Sequence, residues 1–146
     1  MTTNVSASGA TMRIVASESF PSGFSVYKYS DESDPFDIPD QEITGTGKDI
    51  NGNLVYWSVQ SATELTIAVL ANTEEDRNLS VIYENNRAGK GRVPVDDEIT
   101  IVVIFPDGET RTYLGGKMTS GPPGTGASSD GRKKSKTYSF AFESVS

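Results

Sequence analysis

The sequence contains neither cysteine nor histidine. The absence of cysteine excludes disulfides, thiolate zinc ligands and a thiol nucleophile. The absence of histidine excludes a Ser-His-Asp triad and removes the commonest general base of enzymes. The chain has 20 Asp and Glu residues, but no carboxylate pair stands beside a recognisable nucleophile. The composition therefore predicts a protein that is not an enzyme and has no catalytic residues.

Long hydrophobic runs are also missing. No apolar stretch approaches the roughly 20 residues that a membrane helix needs, and the polar N-terminus lacks the core of a signal peptide, so we expect no membrane association. Hydrophobic residues make up 35% of the 146, and glycine occurs 14 times, which is typical of a β-rich chain with many loops. The net charge of −7 disfavours tight binding of duplex nucleic acid.

A hairpin near the C-terminal end is predicted to form the centre of the fold. Its turn is Pro106-Asp107-Gly108, in which proline presets φ, aspartate bonds the backbone two residues on, and glycine accepts a positive φ. The incoming strand over 98–105 has apolar residues on both faces, and the returning strand covers 110–114. We therefore expect the incoming strand to be covered on both sides, with one face against a helix.

The remaining elements follow from hydrophobic alternation and capping signals. A helix over about 74–88 begins after the N-cap Thr73, carries three acidic residues in its first turn, and is expected to end at Gly89. The other predicted strands are 12–16, 24–29, 43–50, 54–59, 64–71 and 135–143. The fold class predicted is α+β, mainly β: an antiparallel, barrel-like β-sandwich with one flanking helix.

The predicted organisation is one domain over 12–146, preceded by a flexible polar arm over 1–11. Residues 30–53 are expected to form a long loop or hairpin that projects from the domain. Two prolines interrupt its first part, and Asn51-Gly52 marks a tight turn near its end.

Two charged segments are candidate contact sites between subunits. The acidic one carries Asp31, Glu32, Asp34, Asp37, Asp40 and Glu42, and the basic one carries Arg132, Lys133, Lys134 and Lys136. A solvated loop is the default explanation of the acidic segment, a charged partner surface comes next, and weak binding of a divalent cation is a further alternative. Opposite patches on one chain also allow head-to-tail association of identical copies.

Two motifs resemble binding sites for phosphate and calcium, but each lacks a residue that such a site needs. The glycine-rich stretch 121–128 resembles a phosphate loop but has Ala127 where the lysine belongs. Asp49 to Asn53 resembles part of a calcium loop, but Gln60 stands in place of the closing carboxylate. We therefore predict no cofactor and no metal site.

Several stretches, in their order and spacing, resemble the tail tube proteins of contractile-tailed bacteriophages, in the branch of short single-domain subunits. The resemblance covers about 12–146. It is carried by Ser19-Phe20-Pro21-Ser22-Gly23-Phe24, Asp34-Pro35-Phe36-Asp37-Ile38-Pro39, Asn51-Gly52-Asn53-Leu54-Val55, Glu84-Asn85-Asn86-Arg87-Ala88-Gly89-Lys90-Gly91, Phe105-Pro106-Asp107-Gly108 and the ending 134–143.

The resemblance implies a structural virion protein, assembled in the host cytoplasm, that forms hexameric rings stacked into the inner tail tube. Its partners would be copies of itself, the tail sheath protein outside, and the tape measure protein and passing DNA inside, without tight binding. The projecting segment would grip the next ring, with its acidic half against the basic segment of another copy.

Two alternatives remain open at the level of the sequence. One is another component with the tube fold: a tail terminator, a tube initiator or the tube of a secretion machine. The other is a monomeric β-sandwich that binds carbohydrate through Trp57, Tyr56 and Tyr27. A hydrolase that uses paired carboxylates is the least favoured reading.

Overall fold

The computed structural model describes residues 9–27, 29, 36–127 and 129–146. It contains one helix, α1, and ten strands within those ranges, and it confirms the predicted mainly-β class. The elements are β1 Thr11–Ala16, β2 Phe20–Val26, β3 Phe36–Asp37, β4 Thr44–Lys48, β5 Leu54–Ser58, β6 Thr63–Val69, α1 Glu74–Asn86, β7 Ile99–Ile104, β8 Thr110–Ser120, β9 Lys136–Phe142 and β10 Ser144–Val145. The predicted arm lies largely in residues 1–8, outside the described residues.

Eight strands form the body sheet, in the order β2-β1-β7-β8-β9-β6-β3, with β10 beside β8. All neighbouring strands are antiparallel. The long β8 belongs to both halves of this sheet, because its first part pairs with β7 and its last part with β9. It bends where one extra residue enters its pairing with β7, next to Gly115, whose φ is +66°. A bulge with glycine in the left-handed region turns a strand in this way.

The two halves of the sheet close over one hydrophobic core. The core joins residues of both halves with two helical side chains, Leu79 and Ile82. Tyr29, which follows the edge strand β2, forms an isolated bridge with Val69 of β6, and its ring lies 6.0 Å from that of Phe36 on the other edge strand, β3. The edges of the folded sheet therefore approach each other, as in a barrel-like sandwich.

The predicted central hairpin is confirmed. Gly108 has a φ of +96°, and the Glu109 N–H donates to Asp107 Oδ1 over 2.9 Å, as expected for this turn. Strand β7 lies between β1 and β8 and buries Ile99 and its alternate neighbours. The expectation that both faces are covered is wrong for the single chain, because Ile104 on the outer face is 45% exposed.

The helix begins as predicted but ends differently. Thr73 is the N-cap and accepts a hydrogen bond from the Asp76 N–H. The predicted C-terminal role of Gly89 is wrong, because the cap is Arg87 in an extended conformation. At this end of the helix, Asn86 Nδ2 donates to the carbonyl of Ile82 over 2.8 Å, and the Val95 N–H donates to the carbonyl of Asn85 over 2.9 Å. In the described part of the chain, no helix has the length and hydropathy to cross a membrane.

Two other strand boundaries differ markedly from the prediction, and two short strands were not predicted. Strand β2 begins at Phe20, earlier than expected, and β8 continues to Ser120, well beyond the predicted end at residue 114. The bend at Gly115 keeps β8 within the sheet, where β9 pairs with its last residues. The short strands β3 and β10 have no counterpart in the prediction, because two residues carry no periodic pattern.

Candidate functional site

The base of the β4–β5 hairpin and the basic segment lie at opposite ends of β6. At the start of β6, the Gln41 side chain donates to the Ser61 carbonyl and accepts from Thr63 Oγ1, which fixes the base of the β4–β5 hairpin. At the end of β6, Val69 pairs with Lys136, directly after the basic run. Seven residues of strand separate the two ends by roughly 20 Å. The chain therefore presents different surfaces in opposite directions.

The β4–β5 hairpin stands apart from the body sheet. It forms its own two-stranded sheet and pairs with none of the other described strands. Its apolar side chains are largely exposed: Ile50 is 99% exposed, Tyr56 73% and Trp57 54%. Exposed apolar side chains concentrated on one hairpin are characteristic of a contact site for another protein.

Trp57 lies against β4, where its cross-strand partner is Gly45. A Cβ at Gly45 would overlap the indole ring, and one at Gly47 would lie 3.9 Å from it. The two glycines therefore provide a flat floor on which the ring rests. This packing covers one side of Trp57 and leaves about half of the side chain exposed.

The turn of the hairpin is organised by Asp49. Its Oδ1 accepts from the N–H groups of Asn51 and Asn53, each over 2.9 Å, and its carbonyl accepts from the Gly52 N–H over 3.0 Å. These bonds, led by that from the Asn53 backbone, lower the pKa of the Asp49 carboxyl. The Asp49 N–H donates to the Asn53 carbonyl over 3.0 Å, so the loop spans the three residues 50–52, and Gly52, with a φ of +83°, occupies its left-handed position.

The acidic candidates fall into two groups. Asp31, Glu32 and Asp34 lie outside the described residues. Asp37 lies on β3 opposite Thr66, while Asp40 and Glu42 are exposed on the segment that leads into the hairpin. A cleft of about 190 Å³ is lined by Asp40, Glu42 and Glu64, among others. No three acidic groups of the described chain converge as metal ligands.

The basic candidates do not form one surface. Arg132, Lys133 and Lys134 are exposed, and Lys133 Nζ donates to Asn72 Oδ1 over 3.2 Å. In contrast, Lys136 is only 15% exposed and its Nζ lies 3.3 Å from the buried Asp76 carboxylate. The role of all these residues between subunits stays a prediction, and Lys136 already has a partner within its own chain.

Asp76 is also the centre of a polar cluster that the sequence did not indicate. Its Oδ1 accepts from the Tyr138 hydroxyl over 3.0 Å, and that hydroxyl lies 2.8 Å from Ser80 Oγ. Burial, with the nearby Asp76 carboxylate, raises the pKa of Tyr138 far above its ordinary value. The cluster fastens the start of α1 to β9. No sequence signal joins residues more than 50 positions apart.

A second cluster surrounds Asp97, which is 1% exposed. Its carboxylate accepts from the N–H groups of Glu18 and Ser19, from Ser19 Oγ and from Asn86 Nδ2, over 2.5–2.8 Å. Burial alone would raise the pKa of Asp97, but the hydrogen bonds from Ser19, Asn86 and Glu18 outweigh it and lower the pKa. This clamp joins the β1–β2 turn, the end of α1 and the start of β7.

The glycine-rich stretch after β8 does not have the geometry of a phosphate loop. Ala127 pairs with Lys133, and the Lys134 N–H donates to the Gly126 carbonyl. The stretch thus folds back on itself and leads into β9, whereas a phosphate loop opens a helix.

Comparison with solved structures identifies the fold. The cryo-EM structure of the tube-terminating cap of the anti-feeding prophage matches all of this chain and 93% of that chain, with a TM-score of 0.51 and 14% identity. The structure of the anti-feeding prophage baseplate matches all of this chain and 96% of that chain, with a TM-score of 0.56 and 9% identity. At these identities the likeness establishes the fold alone.

Comparison of the sequence gives the family. None of the curated proteins matches the chain. The profile of the tail fiber protein gp32 family matches residues 3–146, nearly the whole length. The resemblance to phage tail proteins is therefore confirmed, and the chain is a structural tail component. It belongs to the tail fiber protein gp32 family.

Proposed function

We propose that this chain is a subunit of the inner tube of a contractile tail, in which hexameric rings of identical copies stack around a channel that conducts DNA. It acts by assembly and carries out no catalysis. The sheath protein would surround the tube, and the tape measure protein would occupy the channel before DNA passes.

The observation that carries this proposal is the β4–β5 hairpin. It pairs with none of the other described strands and exposes Ile50, Tyr56 and Trp57 to solvent. A protein that works as a monomer gains nothing from such a surface, whereas a stacked subunit buries it against its neighbour. The opposite end of β6 carries different groups, which suits a head-to-tail contact that repeats along a filament.

Charge supports the same arrangement. The subunit has a net charge of −7, so the phosphate backbone of passing DNA gains no tight binding from the channel as a whole. Within the contact, Asp40 and Glu42 beside the base of the hairpin would face Lys133 and Lys134 of the next copy. Lys136 is left out of this contact, since it is paired with Asp76.

Electron microscopy of the concentrated protein tests the proposal. Hollow filaments or six-fold rings are expected, and a strictly monomeric protein under all conditions would refute it. Lys134→Glu, alone or with Lys133→Glu, is expected to reduce filament formation and leave the circular dichroism spectrum unchanged. Lys90→Glu makes the same change of charge at another exposed lysine and serves as the control. Equal assembly of all these variants would eliminate the charged contact.

A second candidate is the terminator that caps such a tube. The likeness to the tube-terminating cap structure, which extends over all of this chain, favours it. A terminator is expected to form single rings that do not elongate, whereas a tube subunit forms filaments whose length grows with concentration. Binding of glycans by a monomer would instead favour the carbohydrate-binding alternative.

A further inference from the structure

The tip of the projecting hairpin carries the only Asn-Gly pair of the sequence, Asn51-Gly52. Both residues are exposed, and no atom lies within 4 Å of the position that a Cβ on Gly52 would occupy. Because glycine has no side chain, its backbone nitrogen can approach the side-chain amide of a preceding asparagine without obstruction. The pair therefore combines the reactive sequence with open access for water and base.

The hydrogen bonds of the turn at the hairpin tip hold the Gly52 nitrogen away from this reaction. The Gly52 N–H donates to the Asp49 carbonyl over 3.0 Å, so the nitrogen that would attack is directed into the turn. The Asp49 carboxylate also holds the N–H groups of Asn51 and Asn53. Because the peptide bond is planar, the nitrogen reaches the Asn51 side chain by rotation about the Cα–C bond of Asn51, and that rotation breaks the hydrogen bond from the Gly52 N–H to the Asp49 carbonyl.

We propose that Asn51 is a site of spontaneous deamidation through a succinimide, and that Asp49 slows the reaction by holding the turn closed. The Gly52 nitrogen loses its proton to base and attacks Cγ of Asn51, and ammonia leaves as the five-membered ring forms. Water then opens the ring at either carbonyl and gives aspartate or isoaspartate. The net reaction consumes one water and releases one ammonia.

Both products change the hairpin tip. Each adds a negative charge beside Ile50, which is 99% exposed, and isoaspartate also lengthens the main chain by one methylene. The chemistry does not depend on the proposed function. If the hairpin does contact a neighbouring copy, modified subunits would carry an altered contact surface.

The test uses the intact protein, incubated in mildly alkaline buffer and sampled over days by peptide mapping with mass spectrometry. The expected result is conversion of amide to acid at Asn51, in two separable products, ahead of every other asparagine. Asp49→Ala is expected to speed the conversion of Asn51 several-fold. Asp49→Asn keeps an acceptor oxygen, so its Asn51 is expected to convert at nearly the rate seen in the protein without a substitution. Asp107→Ala removes the corresponding bond at the other hairpin turn and is expected to leave the rate at Asn51 unchanged.

Two results would overturn the proposal. An Asn51 that stays intact while other asparagines react would exclude the modification site. If Asn51 reacts no faster in Asp49→Ala than in the protein without a substitution, or no faster than in Asp49→Asn, the hydrogen bonds of the turn do not restrain the reaction.

Discussion

The Asp97 clamp gives the sharpest test of what holds the fold together. Asp97→Ala removes the acceptor for two backbone N–H groups, those of Glu18 and Ser19, and for the side chains of Ser19 and Asn86. A buried donor left without an acceptor costs about 1–3 kcal/mol. Because water can bond to some of these donors, we expect Asp97→Ala to lower the free energy of unfolding by about 3–5 kcal/mol. This is a large share of the free energy of unfolding of a typical domain, about 5–15 kcal/mol.

Urea denaturation followed by tryptophan fluorescence and circular dichroism measures this loss. The midpoint is expected to fall by roughly 2 M, given the usual dependence of unfolding free energy on urea. Asp96→Asn is the matched control, because Asp96 is adjacent and its 2.6 Å contact with Lys117 is exposed. Exposed ion pairs contribute about 0–1 kcal/mol. An Asp97→Ala midpoint equal to that of Asp96→Asn would refute the reasoning.

The same clamp predicts the direction of pH dependence. Folding lowers the pKa of Asp97. The ionised carboxylate therefore contributes fully to stability at any pH above the pKa that Asp97 has in the unfolded chain, about 4. The contribution is lost as the pH falls through the lower folded value. Asp97→Asn removes the titrating group, so the difference in stability between the two proteins is expected to shrink in acid. A constant difference would contradict this assignment.

Two further predictions concern the bend of β8 and the hairpin tip. In Gly116→Ala the new Cβ would overlap the Phe142 ring, so thermal denaturation should show that the free energy of unfolding falls by about 1–3 kcal/mol. In the control Gly47→Ala, the nearest atom lies 3.9 Å from the new Cβ, so the free energy of unfolding should change by less than about 0.5 kcal/mol. Equal effects of the two substitutions would contradict the packing described. Ile50→Asp should leave the unfolding free energy within about 0.5 kcal/mol, because the side chain is exposed, yet should impair filament formation under the electron microscope. Normal filaments from this variant would exclude the tip from the contact.

The elements that the sequence predicted correctly are those in which neighbours along the chain determine the structure. The turn at Asp107-Gly108 and the cap at Thr73 depend on residues within three positions. The strand β9 follows from strict alternation, which buries Tyr138, Phe140 and Phe142. Local hydrogen bonds and a two-residue period are readable without knowledge of the tertiary structure.

The features that the sequence did not predict depend on distant partners. The end of α1 is set by Asn86, which is held by Asp97 eleven residues later. The orientation of Lys136 depends on Asp76, which is buried on another element. The projecting hairpin was predicted from its turn residues, but the packing of Trp57 on Gly45 required the strand register. Such long-range pairings leave no periodic signal.

The shared strand β8 has a consequence for how the protein unfolds. Because β8 contributes hydrogen bonds to both halves of the body sheet, neither half can melt without uncovering the edge of the other. The core side chains of the two halves also contact one another. The subunit is therefore expected to lose its structure in one cooperative transition, with no state in which half the sheet survives. In the proposed tube, a single all-or-none threshold would protect each subunit against gradual loss of structure under load.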